Sequence, residues 1–148
     1  MGRPSDYDIE VGDRICEIVA TTTLSLKNIC GKDETLPAVI SVLRWLRLHE
    51  EFRSQYARAK QEQADLLAEE MIDIADDGSN DLMTIVKGDQ TYEVENKEVV
   101  NRSRLRIETR KWIASKLKPK KYGDKLDLTS DGDKLGFADF LKQSSTGQ

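Results

Sequence analysis

The sequence is short of the residues on which most active-site chemistry depends. Its 148 residues include one histidine, His49, and two cysteines, Cys16 and Cys30. The cysteines lack the paired spacing of a zinc site and stand among apolar neighbours, which marks them as reduced core residues. His49 falls at an expected helix junction and reads as a partly buried structural residue, not a general base. The phosphate-cradling pattern G-x-x-x-x-G-K-S/T is missing, because Leu26 stands where the first glycine before Gly31-Lys32 would be. The G-x-S-x-G nucleophile elbow is missing too. Acidic residues are many, but they run along an expected helix without the clustering of a metal site. These gaps point away from an enzyme and imply no cofactor and no metal. No apolar run approaches the about 18–20 residues that a membrane span needs. The stretch Met1-Gly2-Arg3-Pro4-Ser5-Asp6 has no apolar segment of the kind a signal peptide carries, so the expectation is a cytosolic protein with no membrane partner. Three prolines and nine glycines are too few for low-complexity disorder over most of the chain.

What the chain has in abundance is charge, sorted into blocks. Residues 1–60 carry nine basic and nine acidic side chains, and residues 61–100 carry two and twelve. Residues 101–125 then carry ten basic and two acidic ones. The overall net charge of −4 conceals this alternation and says little against a nucleic-acid partner.

Apolar spacing predicts a mainly α protein. Asp8 is a candidate N-cap for a helix over about 9–21 that places Val11, Ile15, Ile18 and Val19 on one stripe. Thr21-Thr22-Thr23 breaks it. Ser25 caps a short second helix with Leu26, Ile29 and Cys30, and Gly31 stands where a helix C-terminal glycine belongs. Lys32-Asp33-Glu34-Thr35 reads as a polar turn, Pro37 as a helix start, and Val42, Leu43, Trp45, Leu46 and Leu48 as a third helix. Helix, short helix, glycine turn and longer helix form the outline of a helix-turn-helix. From Glu50 to about Asp77 the stripe Phe52, Tyr56, Ala59, Gln63, Leu66, Met71 and Ile74 predicts a helix roughly 40 Å long that needs a partner. A β-hairpin follows at about 83–95, with Gly88-Asp89-Gln90 as a three-residue loop. Asn96 caps a last helix to about Leu117, with Val100, Leu105, Trp112, Ile113 and Leu117 as its apolar side. A short strand over 125–129 and a flexible, polar tail complete the chain. The expected organisation is a helix-turn-helix domain over 1–49, a central helical oligomerisation domain over 50–121, and a C-terminal strand and tail over 122–148.

Candidate DNA contacts are Arg44 and Arg47 on one face of the third helix, Lys27 and Lys32 before it, and Arg3 in an N-terminal arm. The rows Glu62, Asp65, Glu69, Asp73 and Arg102, Arg106, Arg110 predict two neighbouring helices of opposite sign, paired as a hairpin or across subunits. Leu66, Met71, Leu105 and Trp112 are the candidate oligomerisation residues. In the tail, Leu135, Phe137, Phe140 and Leu141 form an apolar cluster suited to docking or to an intramolecular clasp.

Several segments together carry a family resemblance. They are Gly2-Arg3-Pro4-Ser5-Asp6-Tyr7, Ser25-Leu26-x-x-Ile29-Cys30, and Arg44-Trp45-Leu46-x-x-His49-x-x-Phe52-x-x-x-Tyr56. They continue through Arg104-Leu105-Arg106-Ile107-x-Thr109-Arg110-Lys111-Trp112 to Pro119-Lys120-Lys121-Tyr122-Gly123-Asp124-Lys125. In order and spacing, the chain over about 2–125 resembles the small terminase subunits of tailed double-stranded DNA phages and prophages. The resemblance implies a protein of the bacterial host's cytoplasm that recognises the viral packaging site on double-stranded DNA. It also implies assembly as a homo-oligomeric ring, and recruitment and stimulation of a large terminase subunit holding ATPase and nuclease. It assigns the tail cluster to large-subunit docking. Where such recognition helices commonly start with polar residues, Ala38-Val39-Ile40 is apolar. Readout here goes through thymine methyls, or is absent, or the face is buried. A helix-turn-helix transcription regulator with a helical dimerisation domain shares the same outline, and a scaffold that binds no DNA is a third possibility. Stoichiometry and salt-sensitive DNA binding separate the three.

Overall fold

The computed structural model describes residues 3, 6–124, 129, 130, 133 and 134. Helices α1 (Ile9–Thr21), α2 (Leu26–Lys32) and α3 (Val39–Leu48) form a head on the first half of the long α4 (Glu50–Asp76). Strands β1 (Leu82–Lys87) and β2 (Gln90–Glu95) separate α4 from α5 (Lys97–Leu117), which returns along α4; a single turn, α6 (Pro119–Tyr122), ends the hairpin. A minimal antiparallel pair follows, β3 (Thr129–Ser130) with β4 (Asp133–Lys134). The expected strand over 125–129 lies outside the described residues except at its last position. The tail cluster Leu135, Phe137, Phe140 and Leu141 lies entirely outside them.

Local chemistry fixes the helix starts. The Asp8 carboxylate accepts from the Val11 N–H at 3.1 Å, the Ser25 hydroxyl from Asn28, and the Asn96 amide oxygen from Val99. Gly31 does not end α2 as its position suggested. The helix runs on to Lys32 and stops at Asp33, whose Oδ1 accepts from the backbone N–H and the hydroxyl of Thr35 at 2.9 and 2.5 Å. That side-chain turn captures the backbone and competes with a further helical bond. Pro37 is not a helix start either: Ala38 is the N-cap of α3, and Pro37 is buried beside Leu36.

The core lies in the head. Ile15 and Val19 of α1, Ile29 and Cys30 of α2, Leu36, and Val42 and Trp45 of α3 enclose one another. It extends past residue 49, since Phe52 and Ala59 of α4 belong to it. Tyr7 joins the aromatic set, edge-on to Trp45 at 5.3 Å and stacked on His49 at 4.0 Å. Gly12 lets these rings close onto α1, because a Cβ there would stand 3.2 Å from the Phe52 ring and 3.3 Å from that of Tyr7.

The stripe on α4 turns partway along. Leu67, not Leu66, is buried, together with Gln63, Ala64 and Ile74. The first half of the helix faces α1 and the second faces α5, so no single stripe serves both. Buried Gln63 sits at the changeover. Its amide donates to the carbonyls of Thr22 and Leu24 at 2.8 and 3.2 Å, and its oxygen accepts from Lys60 Nζ at 2.5 Å.

The β-hairpin has a two-residue turn, Gly88-Asp89, instead of the expected three-residue loop, because Lys87 pairs directly with Gln90. Gly88 has φ +64°, the positive value that turns of this length use to match strand twist. A hydrogen bond from Asn96 N–H to the Asp81 carbonyl, 2.7 Å, closes its base.

Candidate nucleic-acid interface

The face of α3 opposite the core carries Ile40, Leu43, Arg44, Arg47 and Leu48. Of the apolar start, Ala38 and Val39 are half-buried, Val39 against the core, while Ile40 is 77% exposed and faces outward with Leu43, 47% exposed. Lys27 and Lys32 of α2 are also exposed. Arg3 is not extended away from the fold: its guanidinium donates to the Cys30 carbonyl at 2.9 Å, satisfying one of the last carbonyls of α2.

The expected polar turn between α2 and α3 is held by Asp33 and Thr35 together with Arg14, which was not singled out from the sequence. Arg14 of α1 pairs with the Asp33 carboxylate and donates to the Thr35 hydroxyl at 2.9 Å. The Thr35 hydrogen bonds, and then the Arg14 charge, hold the Asp33 carboxyl below its ordinary range. The Asp-x-Thr spacing of a side-chain turn was the readable signal; the partner Arg14, 19 residues upstream, was not.

The other side of the head has the opposite sign. Between α1 and α4 lies an open groove of about 820 Å³ lined by Asp13, Glu17, Glu50, Glu51 and Glu62, with Arg58 as its cation. An anionic duplex is repelled there, so the head is electrostatically polarised toward α2 and α3.

The charge rows of the hairpin meet within the chain, in part through other residues than expected. Glu70 accepts from Arg110 at 2.7 Å, with Arg106 at 3.9 Å, and Asp65 binds Lys118 at 2.6 Å, Lys121 at 3.0 Å and the Tyr122 hydroxyl at 2.7 Å. The hydrogen bonds from Lys118, Tyr122 and Lys121 hold the Asp65 carboxyl well below the usual carboxylate range, and that from Arg110 lowers Glu70. The Pro119–Gly123 stretch thereby gains a structural meaning. Pro119 starts the one-turn α6, which aims Lys121 and Tyr122 at Asp65, and Gly123 ends it. A Cβ on Gly123 would lie 2.4 Å from the Pro119 carbonyl oxygen.

Of the candidate oligomerisation residues, Leu66 and Met71 are half-buried, while Leu105 and Trp112 stand 61% and 64% exposed. The side of α5 that includes buried Ala114 and half-buried Val99, Ser103 and Arg110 is a different one. Leu105 and Trp112 are seven residues apart and so lie two turns along one outward stripe. Ile72 of α4 and Leu82, Met83, Val86 and Tyr92 of the β-hairpin are exposed as well. Among the described residues no group of histidine, cysteine, aspartate and glutamate is placed to hold a metal, and no helix is long and apolar enough to cross a membrane.

Crystal structures of the terminase small subunit gp1 of the bacterial virus Sf6 have a similar fold. Two variants of that protein each match with a TM-score of 0.66 and 36% identity over 90% of this chain, covering 98% and 92% of theirs. A third variant matches at 35% identity with the same TM-score. No curated protein matches the chain. The fold is that of a terminase small subunit. The family described as bacteriophage Sf6, terminase small subunit-like, matches residues 7–129, and the chain belongs to it.

Proposed function

We propose that this protein is a non-catalytic DNA-packaging subunit. It recognises the viral packaging site on double-stranded DNA, assembles as a homo-oligomeric ring, and recruits and stimulates the large terminase subunit in the cytoplasm of the bacterial host. The observation that carries the DNA reading is the outward face of α3, where Arg44 and Arg47 stand beside Ile40 and Leu43 while the α1–α4 side of the head is acidic. Residues 1–49 serve as the DNA-binding domain, with Lys27, Lys32 and Arg3 around α3, and residues 50–121 as the oligomerisation domain. Residues 122–148 dock the large subunit through Leu135, Phe137, Phe140 and Leu141. The ring reading is supported by the outward stripe of Leu105 and Trp112, with Leu66 and Met71 on α4, because a monomer gains nothing by keeping such side chains in water.

The decisive experiment combines sedimentation with DNA titration. The full chain sediments as a ring at micromolar concentration and binds duplex DNA in a salt-sensitive manner. Arg44→Ala with Arg47→Ala weakens DNA binding and leaves the ring intact. Unchanged affinity in that double variant moves the DNA surface off α3. A dimer that binds DNA favours the transcription-regulator reading.

A further inference from the structure

The recognition helix has an unusual chemical repertoire. Its sequence is Val-Ile-Ser-Val-Leu-Arg-Trp-Leu-Arg-Leu, in which the polar side chains are Ser41, Arg44 and Arg47. Ser41 is buried on the core side. The outward face therefore offers no amide to pair with adenine and no carboxylate to accept from cytosine. Its first turn and a half offers Ile40 and Leu43 instead. A helix-turn-helix presents the N-terminal residues of its recognition helix to base edges, which places these two over the bases and leaves Arg44 and Arg47, further along, for phosphates. The apolar groups displayed in the major groove are the 5-methyl groups of thymine.

We propose that α3 reads thymine methyl groups through Ile40 and Leu43, an inference that rests on the DNA reading above. Recognition is then by shape and desolvation of methyls and carries no neutral hydrogen-bond code. The arginines on the same helical face decide between occupants: they match a polyanion bearing embedded methyl groups better than an apolar protein surface.

The test uses the full-length protein and defined duplexes at low salt. An alternating dA-dT duplex is compared with its dA-dU counterpart, which differs only in lacking the methyls. Binding to dA-dU is expected to be weaker by about four-fold for each contacted methyl. A dI-dC duplex gains affinity when its cytosines carry a 5-methyl group. Ile40→Ala with Leu43→Ala binds dA-dT only as well as dA-dU and no longer distinguishes the pair. Both side chains lie outside the core, so that variant keeps its fold, checked by an unchanged thermal melt. Equal affinity of the native protein for dA-dT and dA-dU overturns the inference, and the DNA reading survives if Arg44→Ala with Arg47→Ala still weakens binding to both. If the arginine variant changes nothing, the DNA surface lies off α3, and the inference fails with that placement. If Ile40→Ala with Leu43→Ala spares DNA binding and abolishes capture of the large subunit, the face is a protein dock and the inference is wrong.

Discussion

In the head, Trp45, Phe52, Ile15, Leu36 and Val42 are almost wholly enclosed, drawn from α1, α3, the turn before α3 and the start of α4. Farther along the same α4, the hairpin encloses Leu67, Ile74 and Ala114 and adds ion pairs from Glu70 and Asp65. The head thus encloses a core of its own beneath the exposed face of α3, while the hairpin is a two-helix layer that leaves Ile72, Leu105 and Trp112 exposed. Two packed helices leave each other half uncovered, and in the proposed ring neighbouring copies supply the missing layer. The comparison separates a region that encloses its own core from one whose outward apolar side chains the proposed ring would cover.

Breaking the head gives the largest effect. Trp45→Ala removes the largest enclosed side chain and should cost about 3–5 kcal/mol. Thermal melting would show the head lost well below the native midpoint. Next is the junction between the regions. Gln63→Ala strips two backbone carbonyls, of Thr22 and Leu24, of their buried donor, at about 1–3 kcal/mol. Hydrogen exchange should rise in the 22–25 segment while the α4–α5 seam stays protected.

Acid sharpens the contrast. Asp65 and Glu70 both have folded carboxyls below their ordinary range, so their contribution is complete above about pH 4 and is lost as pH falls through the folded values. Protons bind the unfolded chain first, which is the sign expected for a depressed carboxylate. Circular dichroism on acid titration should therefore show a steeper loss below about pH 4 in the native protein than in Asp65→Asn. The smallest effect on the isolated subunit belongs to the outward stripe. Leu105→Ser with Trp112→Ser should change its stability by no more than about 0.5 kcal/mol per site. Sedimentation should nevertheless show that pair dissociated, and an intact ring would remove Leu105 and Trp112 from the interface.

The head was legible because its signals are local. Asp8 and Ser25 announce their helices by side-chain chemistry, as Asn96 does for α5 in the hairpin, and apolar spacing at 3.6 residues does the rest. Where the reading slipped, the deciding contact was distant in sequence. Gly31 resembled a helix end, yet the turn is set at Asp33 by Thr35 and by Arg14 from α1. Leu66 and Leu67 are adjacent leucines, and only the position of α5 selects Leu67 for the core. The acidic and basic rows signalled a paired hairpin, but the register that joins Asp65 to Lys118, Lys121 and Tyr122 depends on the α6 turn. Of the candidate interface, Arg44 and Arg47 were readable as one face, and the exposure of Ile40 and Leu43 beside them needed the packing of Val42 and Trp45 to be known.

Between α3 and α4 a single residue, His49, is non-helical, and α4 then runs without interruption from head to hairpin, with Gln63 pinning the α1–α2 connection to its side. The head therefore has no tether whose length could absorb a mismatch. In an assembly of identical copies, successive recognition helices would be held at a fixed pitch. Adjacent copies could engage one duplex together only where its major groove returns in phase, at multiples of about 10.5 base pairs, or where the duplex bends to restore that phase. In the proposed ring, the single-residue joint at His49 would thus impose a phasing rule, in which the spacing and bendability of DNA sites are selected along with their sequence.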